Sequence, residues 1–86
     1  MSMRDRIELK LRHAFAPSFL TVTDDSHRHE GHAGARPGGE THFSIAITSP
    51  AFKGKSRVDI HRAINDLLKA ELAERIHALA ISAKAE

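Results

Sequence analysis

The hydrophobic period of this chain changes twice between Thr41 and Ala83, and that change constrains the fold more than any other feature. Thr41 to Thr48 alternates, with Phe43, Ile45 and Ile47 on one side and His42, Ser44, Ala46 and Thr48 on the other. Such a run is a strand with one buried face. Pro50 closes it, and Ala51 to Lys55, which includes Gly54, reads as a turn. Ser56 followed by Asp59 resembles a capping box with Asp in place of Glu, and it opens a predicted helix to about Arg75. Ile60, Ile64, Leu67, Leu68 and Leu72 form the apolar stripe of that helix. Alternation resumes over Ile76 to Ala83, where Leu79 and Ile81 oppose Ala78, Ala80 and Ser82. If the two strands pair, the result is a βαβ unit with parallel strands and a right-handed crossover.

Upstream, Ser2 and Asp5 carry the same cap, and Met3, Ile7, Leu11, Ala14 and Phe15 fall on one helical stripe. Pro17 ends that helix, because the residue before proline is pushed out of the α region. Phe19 to Thr23 is β-branched and aromatic, and so a strand. Asp24 to Glu40 holds four of the five glycines, Pro37 and three histidines with almost nothing apolar, which makes it a long loop. Loops longer than about 12–15 residues in compact domains are usually functional or disordered. The expected architecture is therefore α+β: a single α-β-β-α-β domain over residues 1–86, with its core at about 5–83 and a long flexible loop at 24–40. Two helices cover one face of a three-stranded mixed sheet, whose first two strands are antiparallel neighbours. A chain of 86 residues buries only about 60–65% of its unfolded surface, so the core is thin. The topology brings the end of the first strand and the starts of the other two to one edge of the sheet. The histidine-bearing loop, His42 and His77 converge there.

Histidine is also the main chemical resource. The chain has seven histidines and no cysteine. Disulfides, thiol nucleophiles and self-contained thiolate metal sites are thereby excluded. Soft-metal chemistry must use imidazole or borrow sulfur from a partner. Thirteen Lys and Arg against eleven Asp and Glu give a net charge of +2, which permits an anionic partner without requiring one. No run approaches the roughly 18 consecutive apolar residues of a membrane span. The first residues meet acidic side chains before any apolar run, unlike a secretory signal or transit peptide. A soluble cytoplasmic protein is expected. With no phosphate-cradling glycine loop after a strand and no Ser/His/Asp constellation, the chain does not read as an enzyme.

Four ordered motifs carry a family resemblance: Thr41-His42-Phe43, Phe52-Lys53-Gly54-Lys55-Ser56, His61-Arg62 and Ile76-His77-Ala78-Leu79. With Asp24-Asp25-Ser26 and the Gly31-His32 step, the chain resembles the BolA family from about Asp5 to Ala83. It departs at Ile60-His61-Arg62, where the family often has Arg-His-Arg, so one arginine of a basic surface is missing. The resemblance implies a KH-like fold of the class II type and a heterodimer with a monothiol glutaredoxin. In that pairing a [2Fe–2S] cluster is held by sulfur from the glutaredoxin and glutathione, together with histidine from this chain. The implied metal ligands are His77 and a loop histidine, His32 or alternatively His29. No cofactor is expected on the isolated protein, which should be a monomer or weak dimer. Cluster transfer and iron sensing are both compatible with this role. Imidazole is a suitable iron ligand, with precedent in Rieske centres.

The other histidines sort by position. His27, His29 and His32 have the spacing His-x-His-x-x-His, which is weakly diagnostic of a metal on a loop, and His27 reads as a spectator. His42 is a third ligand candidate or, better, a supporting donor that orients its neighbours. His61 lies near the start of the second helix, on the order of 20 Å from His77 at about 1.5 Å per residue, so it is excluded from the cluster and reads as a helix-packing or capping residue. His13 has no assigned role. A rival function is a DNA-binding transcriptional regulator, with Lys53, Lys55, Arg57 and Arg62 as candidate nucleic-acid contacts. Against it, the turn has a single glycine where a KH clamp needs GXXG, and no aromatic platform is available, so any DNA binding should be weak and salt-sensitive.

Overall fold

The computed structural model describes residues 2–26 and 41–85. Helix α1 spans Met3–Phe15, and the Ser2 hydroxyl caps it by accepting the Asp5 N–H at 3.1 Å. It ends at Ala16, which takes a left-handed conformation (φ 43°, ψ 56°) and returns its N–H to the Arg12 carbonyl. Strand β1 (Phe19–Asp24) and strand β2 (His42–Ser49) follow, and then a single 3₁₀ turn at Pro50–Phe52. Helix α2 (Arg57–Leu67) is capped by Ser56 through the Asp59 N–H. Helix α3 (Lys69–Glu74) and strand β3 (Ala78–Ala85) complete the fold. Among the described residues no helix is long and apolar enough to cross a membrane.

The sheet order is β1-β2-β3. β1 pairs antiparallel with β2, placing Val22 opposite Ile45, and β2 pairs parallel with β3, placing Ile45 beside Ile81. The α+β architecture expected from the periodicities is therefore present, including the βαβ crossover. The shared core face carries Val22, Phe43, Ile45 and Ile47, packed against Met3, Ile7 and Leu11 of α1 and against Ile60, Ile64 and Leu68. Phe52 joins them, its ring tilted at 56° against that of Phe15 with centroids 5.0 Å apart. Ser49 ties the same corner, donating its hydroxyl to the Phe15 carbonyl at 2.6 Å.

Three details differ from the sequence expectations. Ala14 is exposed, because burial follows the i, i+4 row Met3, Ile7, Leu11 and runs on to Phe15. The second helix is two: Leu68 sits at φ −97°, ψ 16°, yet Leu68 N–H still reaches the Ile64 carbonyl and Leu72 N–H the Leu68 carbonyl. The axis bends there without unwinding. The last strand starts at Ala78, after the expected Ile76, because the N–H groups of Arg75 and Ile76 both close onto the Glu71 carbonyl.

The bend also turns a carboxylate inward. Glu71 is buried and accepts from Lys10 at 2.8 Å and from Arg6 at 3.0 Å, clamping α3 to α1. Burial alone pushes its carboxyl pKa up, but the hydrogen bonds from Lys10, its own backbone and Arg6 outweigh that and hold it below the usual value.

Candidate functional site

The crossover through α2 and α3 returns the chain to the edge of the sheet where β1 ends and β2 begins. There a polar knot fixes the backbone. The Asp24 carboxylate accepts the Ser26 N–H at 2.9 Å, an Asx turn. The turn sets the buried Ser26 hydroxyl to accept two backbone donors, Thr41 N–H at 2.8 Å and His42 N–H at 3.1 Å. Asp25 N–H bonds the His42 carbonyl at 2.7 Å, and Ser44 donates its hydroxyl to the Asp25 carboxylate. The Thr41 carbonyl then accepts both His77 N–H at 2.7 Å and Ala78 N–H at 3.1 Å. All three strands are thus pinned to one another at this edge.

Two imidazoles result. His42 is only 5% exposed, and its Nδ1 lies 2.8 Å from the Thr41 hydroxyl, which holds the ring in place. Its register puts it on the face opposite the core, as the alternation predicts, yet it is buried there with the His77 ring against it. His77 lies just before β3 and is exposed, with its ring centroid 5.3 Å from that of His42 and the planes inclined at 51°. A fixed inner imidazole therefore backs an accessible outer one. Both can offer nitrogen to a metal or a proton, but the pair is incomplete as a metal site. Among the described residues no group of three or more His, Asp or Glu side chains is gathered to hold an ion.

His27, His29 and His32 lie outside the described residues. His61 sits early in α2, which begins after β2 has run the length of the sheet, so it is at the far end from His77. The carbonyl of His61 accepts from the Asn65 amide. Lys53, Lys55, Arg57 and Arg62 are exposed at that far end, around a turn in which Gly54 takes φ 78°, and none is ion-paired among the described residues. Phe19 is 53% exposed at the start of β1. Sequence reasoning missed the Ser26–Thr41 knot. Its signal was present in Asp24-Asp25-Ser26, since an Asx turn at a strand end is the usual use of such a run.

Comparison with known proteins agrees with this geometry. Residues 11–86 match the family described as BolA-like protein. The chain is 52% identical over 82 residues to an uncharacterized protein in the cobS 5' region of Sinorhizobium sp, covering 94% of this chain and 88% of that one. It is 44% identical to the DNA-binding transcriptional regulator BolA of Escherichia coli, covering 94% of this chain and 73% of the regulator. The solved BolA domain of SufE1 from Arabidopsis thaliana superposes with a TM-score of 0.88 at 47% identity, covering 99% of this chain and 93% of the domain.

Proposed function

The chain belongs to the BolA-like protein family, and on that premise we propose that it binds a monothiol glutaredoxin and shares a [2Fe–2S] cluster with it. The observation that carries the reading is the exposed His77 set against the buried, hydrogen-bonded His42. The donor set suits this role: one accessible imidazole fits iron, and a supporting imidazole behind it limits how the ring can turn. His77 would hold iron together with His32 or His29, and the remaining ligands would be sulfur from the glutaredoxin and glutathione, because this chain has no cysteine. When bound, the cluster supplies electron storage and iron for transfer or sensing. The chain's own part is to present imidazole nitrogen and exclude a thiolate.

The test is co-purification with a monothiol glutaredoxin and glutathione under anaerobic, iron-supplemented conditions. The visible spectrum of the glutaredoxin cluster is expected to shift when this protein binds, and His77→Ala is expected to abolish the shift. An unchanged shift in that variant removes His77 from the site.

A second reading, a DNA-binding regulator, is favoured by the four exposed cations near the start of α2 and by the name of the Escherichia coli relative. Cations beside a helix N-terminus can hold phosphate. Duplex DNA affinity measured against salt decides it. Absence of binding at low salt removes this reading, and a steep salt slope with sequence preference supports it.

A further inference from the structure

Thr41 commits every polar group it has to the edge that carries the two imidazoles. Its N–H donates to the Ser26 hydroxyl at 2.8 Å, and its carbonyl accepts His77 N–H at 2.7 Å and Ala78 N–H at 3.1 Å. Its hydroxyl lies 2.8 Å from His42 Nδ1. The backbone is therefore held on both sides of the hydroxyl, and the bond to His42 has one favoured direction. Thr41 is only 1% exposed, and its Oγ1 has no second partner among the described residues. In an uncharged imidazole one ring nitrogen donates and the other accepts. If Nδ1 carried the proton, it would donate to Oγ1 and leave the hydroxyl proton with neither an acceptor nor water. With Nδ1 bare, the hydroxyl donates to it and no buried proton is orphaned. The ring proton then sits on Nε2.

We propose that the Thr41 hydroxyl locks His42 as the Nε2–H tautomer, and so makes it a hydrogen-bond donor, not a metal ligand, towards a sulfur held beside His77. The sulfur acceptor rests on the glutaredoxin reading; the tautomer does not. To ligate a metal, His42 must give up either the Thr41 bond at Nδ1 or its proton at Nε2. As a donor it gives up neither. This chain has no cysteine, so any sulfur at His77 comes from a partner, and thiolate and sulfide sulfurs accept hydrogen bonds without donating. The ring centroids of His42 and His77 are 5.3 Å apart, which sets an atom bound next to His77 within reach of a His42 donor. His42 also lines a concavity on the open face of the sheet with Ser44, Ala78 and Ala80, whose short side chains leave that side of the ring uncrowded. Hydrogen bonds to sulfur are one of the terms that set a cluster's potential. They stabilise the extra negative charge of the reduced form, so a donor at His42 raises the potential.

The lock is tested on the isolated full chain, labelled with nitrogen-15, by long-range proton–nitrogen correlation of the histidine rings at about pH 8, where imidazole in water is uncharged. His42 is assigned through the bonds to its own backbone. Wild type is expected to show a bare Nδ1 and a protonated Nε2. Thr41→Val keeps the side chain's shape without the hydroxyl and should draw the two nitrogen resonances towards each other as tautomers exchange. Thr41→Ser should restore the wild-type pattern. A protonated Nδ1 in wild type overturns the lock, and so does a wild-type pattern in folded Thr41→Val. Circular dichroism checks folding, and if Thr41→Val does not fold, the wild-type spectrum decides. The donor role is tested in the anaerobic complex with a monothiol glutaredoxin and glutathione. His42→Phe should keep the shift in the visible spectrum and lower the reduction potential of the cluster. Loss of the shift in folded His42→Phe makes His42 a ligand and overturns the donor role, as does an unchanged potential. A wild-type chain that produces no shift overturns the glutaredoxin reading and the sulfur acceptor with it, while the nitrogen spectrum still decides the lock.

Discussion

Replacing Glu71 by glutamine removes the one buried charge that joins α3 to α1 while keeping the side chain's volume. The carboxylate is 1% exposed and receives Lys10 at 2.8 Å and Arg6 at 3.0 Å, whereas those cations are 37% and 34% exposed. Hydrogen bonds to charged groups contribute about 1.5–3 kcal/mol each, and breaking a fully buried pair costs about 3–5 kcal/mol. Here both cations can turn to water, and a glutamine oxygen still accepts one of them. The cost should therefore fall to about 2–3 kcal/mol. For a domain of this size that lowers Tm by roughly 10–20 °C. Thermal and urea unfolding followed by circular dichroism at pH 7 measure it. Glu74→Gln is the control: that carboxylate is 55% exposed and pairs with Arg6 at 2.7 Å, so its loss should cost less than about 1 kcal/mol. The pH profile gives a second readout. The folded carboxyl of Glu71 titrates below its ordinary value of 4.5, so its contribution is complete above that pH and is lost as pH falls through the lower, folded value. Wild type should lose more stability than Glu71→Gln on acidification. Equal costs for Glu71→Gln and Glu74→Gln, or parallel acid profiles, would refute the clamp.

Two further substitutions test the ends of the elements. Ala16 holds φ 43° without being glycine, so Ala16→Gly should raise stability by about 1 kcal/mol, seen as a higher urea midpoint; an unchanged or lower midpoint refutes strain at this cap. Ser26→Ala leaves the N–H groups of Thr41 and His42 without their acceptor. It should cost about 2 kcal/mol, since each orphaned buried donor is destabilising, and shift the ring resonances of His42 and His77 in NMR spectra. Ring resonances that do not move would show that the knot does not set the histidines.

The parts of this fold legible in the sequence are those set by short-range patterning. Ser2 and Ser56 cap the helices that their spacing to Asp5 and Asp59 announces, and Phe43, Ile45 and Ile47 face the core as their alternation requires. The approach of His77 to His42 was legible for a different reason: a βαβ unit must return its second strand to the edge from which the first departed. What the pattern could not carry is long-range polar pairing. Glu71 is a charged residue in a short helix whose burial no periodicity announces, and α1 brings Lys10 and Arg6 to it. The bend at Leu68 has the same origin, since no glycine or proline marks it and tertiary packing of Leu68 against the sheet decides the backbone there. His42 was legible in register but not in burial, because alternation assigns a face without showing what packs on it, here the ring of His77, far along the sequence.

The two candidate surfaces occupy opposite ends of β2. His42 opens that strand beside His77, whereas Ser49 ends it and leads through the 3₁₀ turn into Lys53, Lys55 and Arg57. β2 has eight residues, which at about 3.3 Å each makes the ends roughly 25 Å apart. That exceeds the Debye length of about 8–10 Å at physiological ionic strength, so the charges at one end are screened from the other. The surfaces should therefore fail separately. Lys53→Glu with Lys55→Glu should weaken any salt-dependent DNA binding by about tenfold or more, through two reversed charges, and leave the spectral shift with glutaredoxin unaltered. His77→Ala should do the reverse. A single variant that abolished both would mean that the two ends communicate through the sheet, and the assignment of separate surfaces would be wrong.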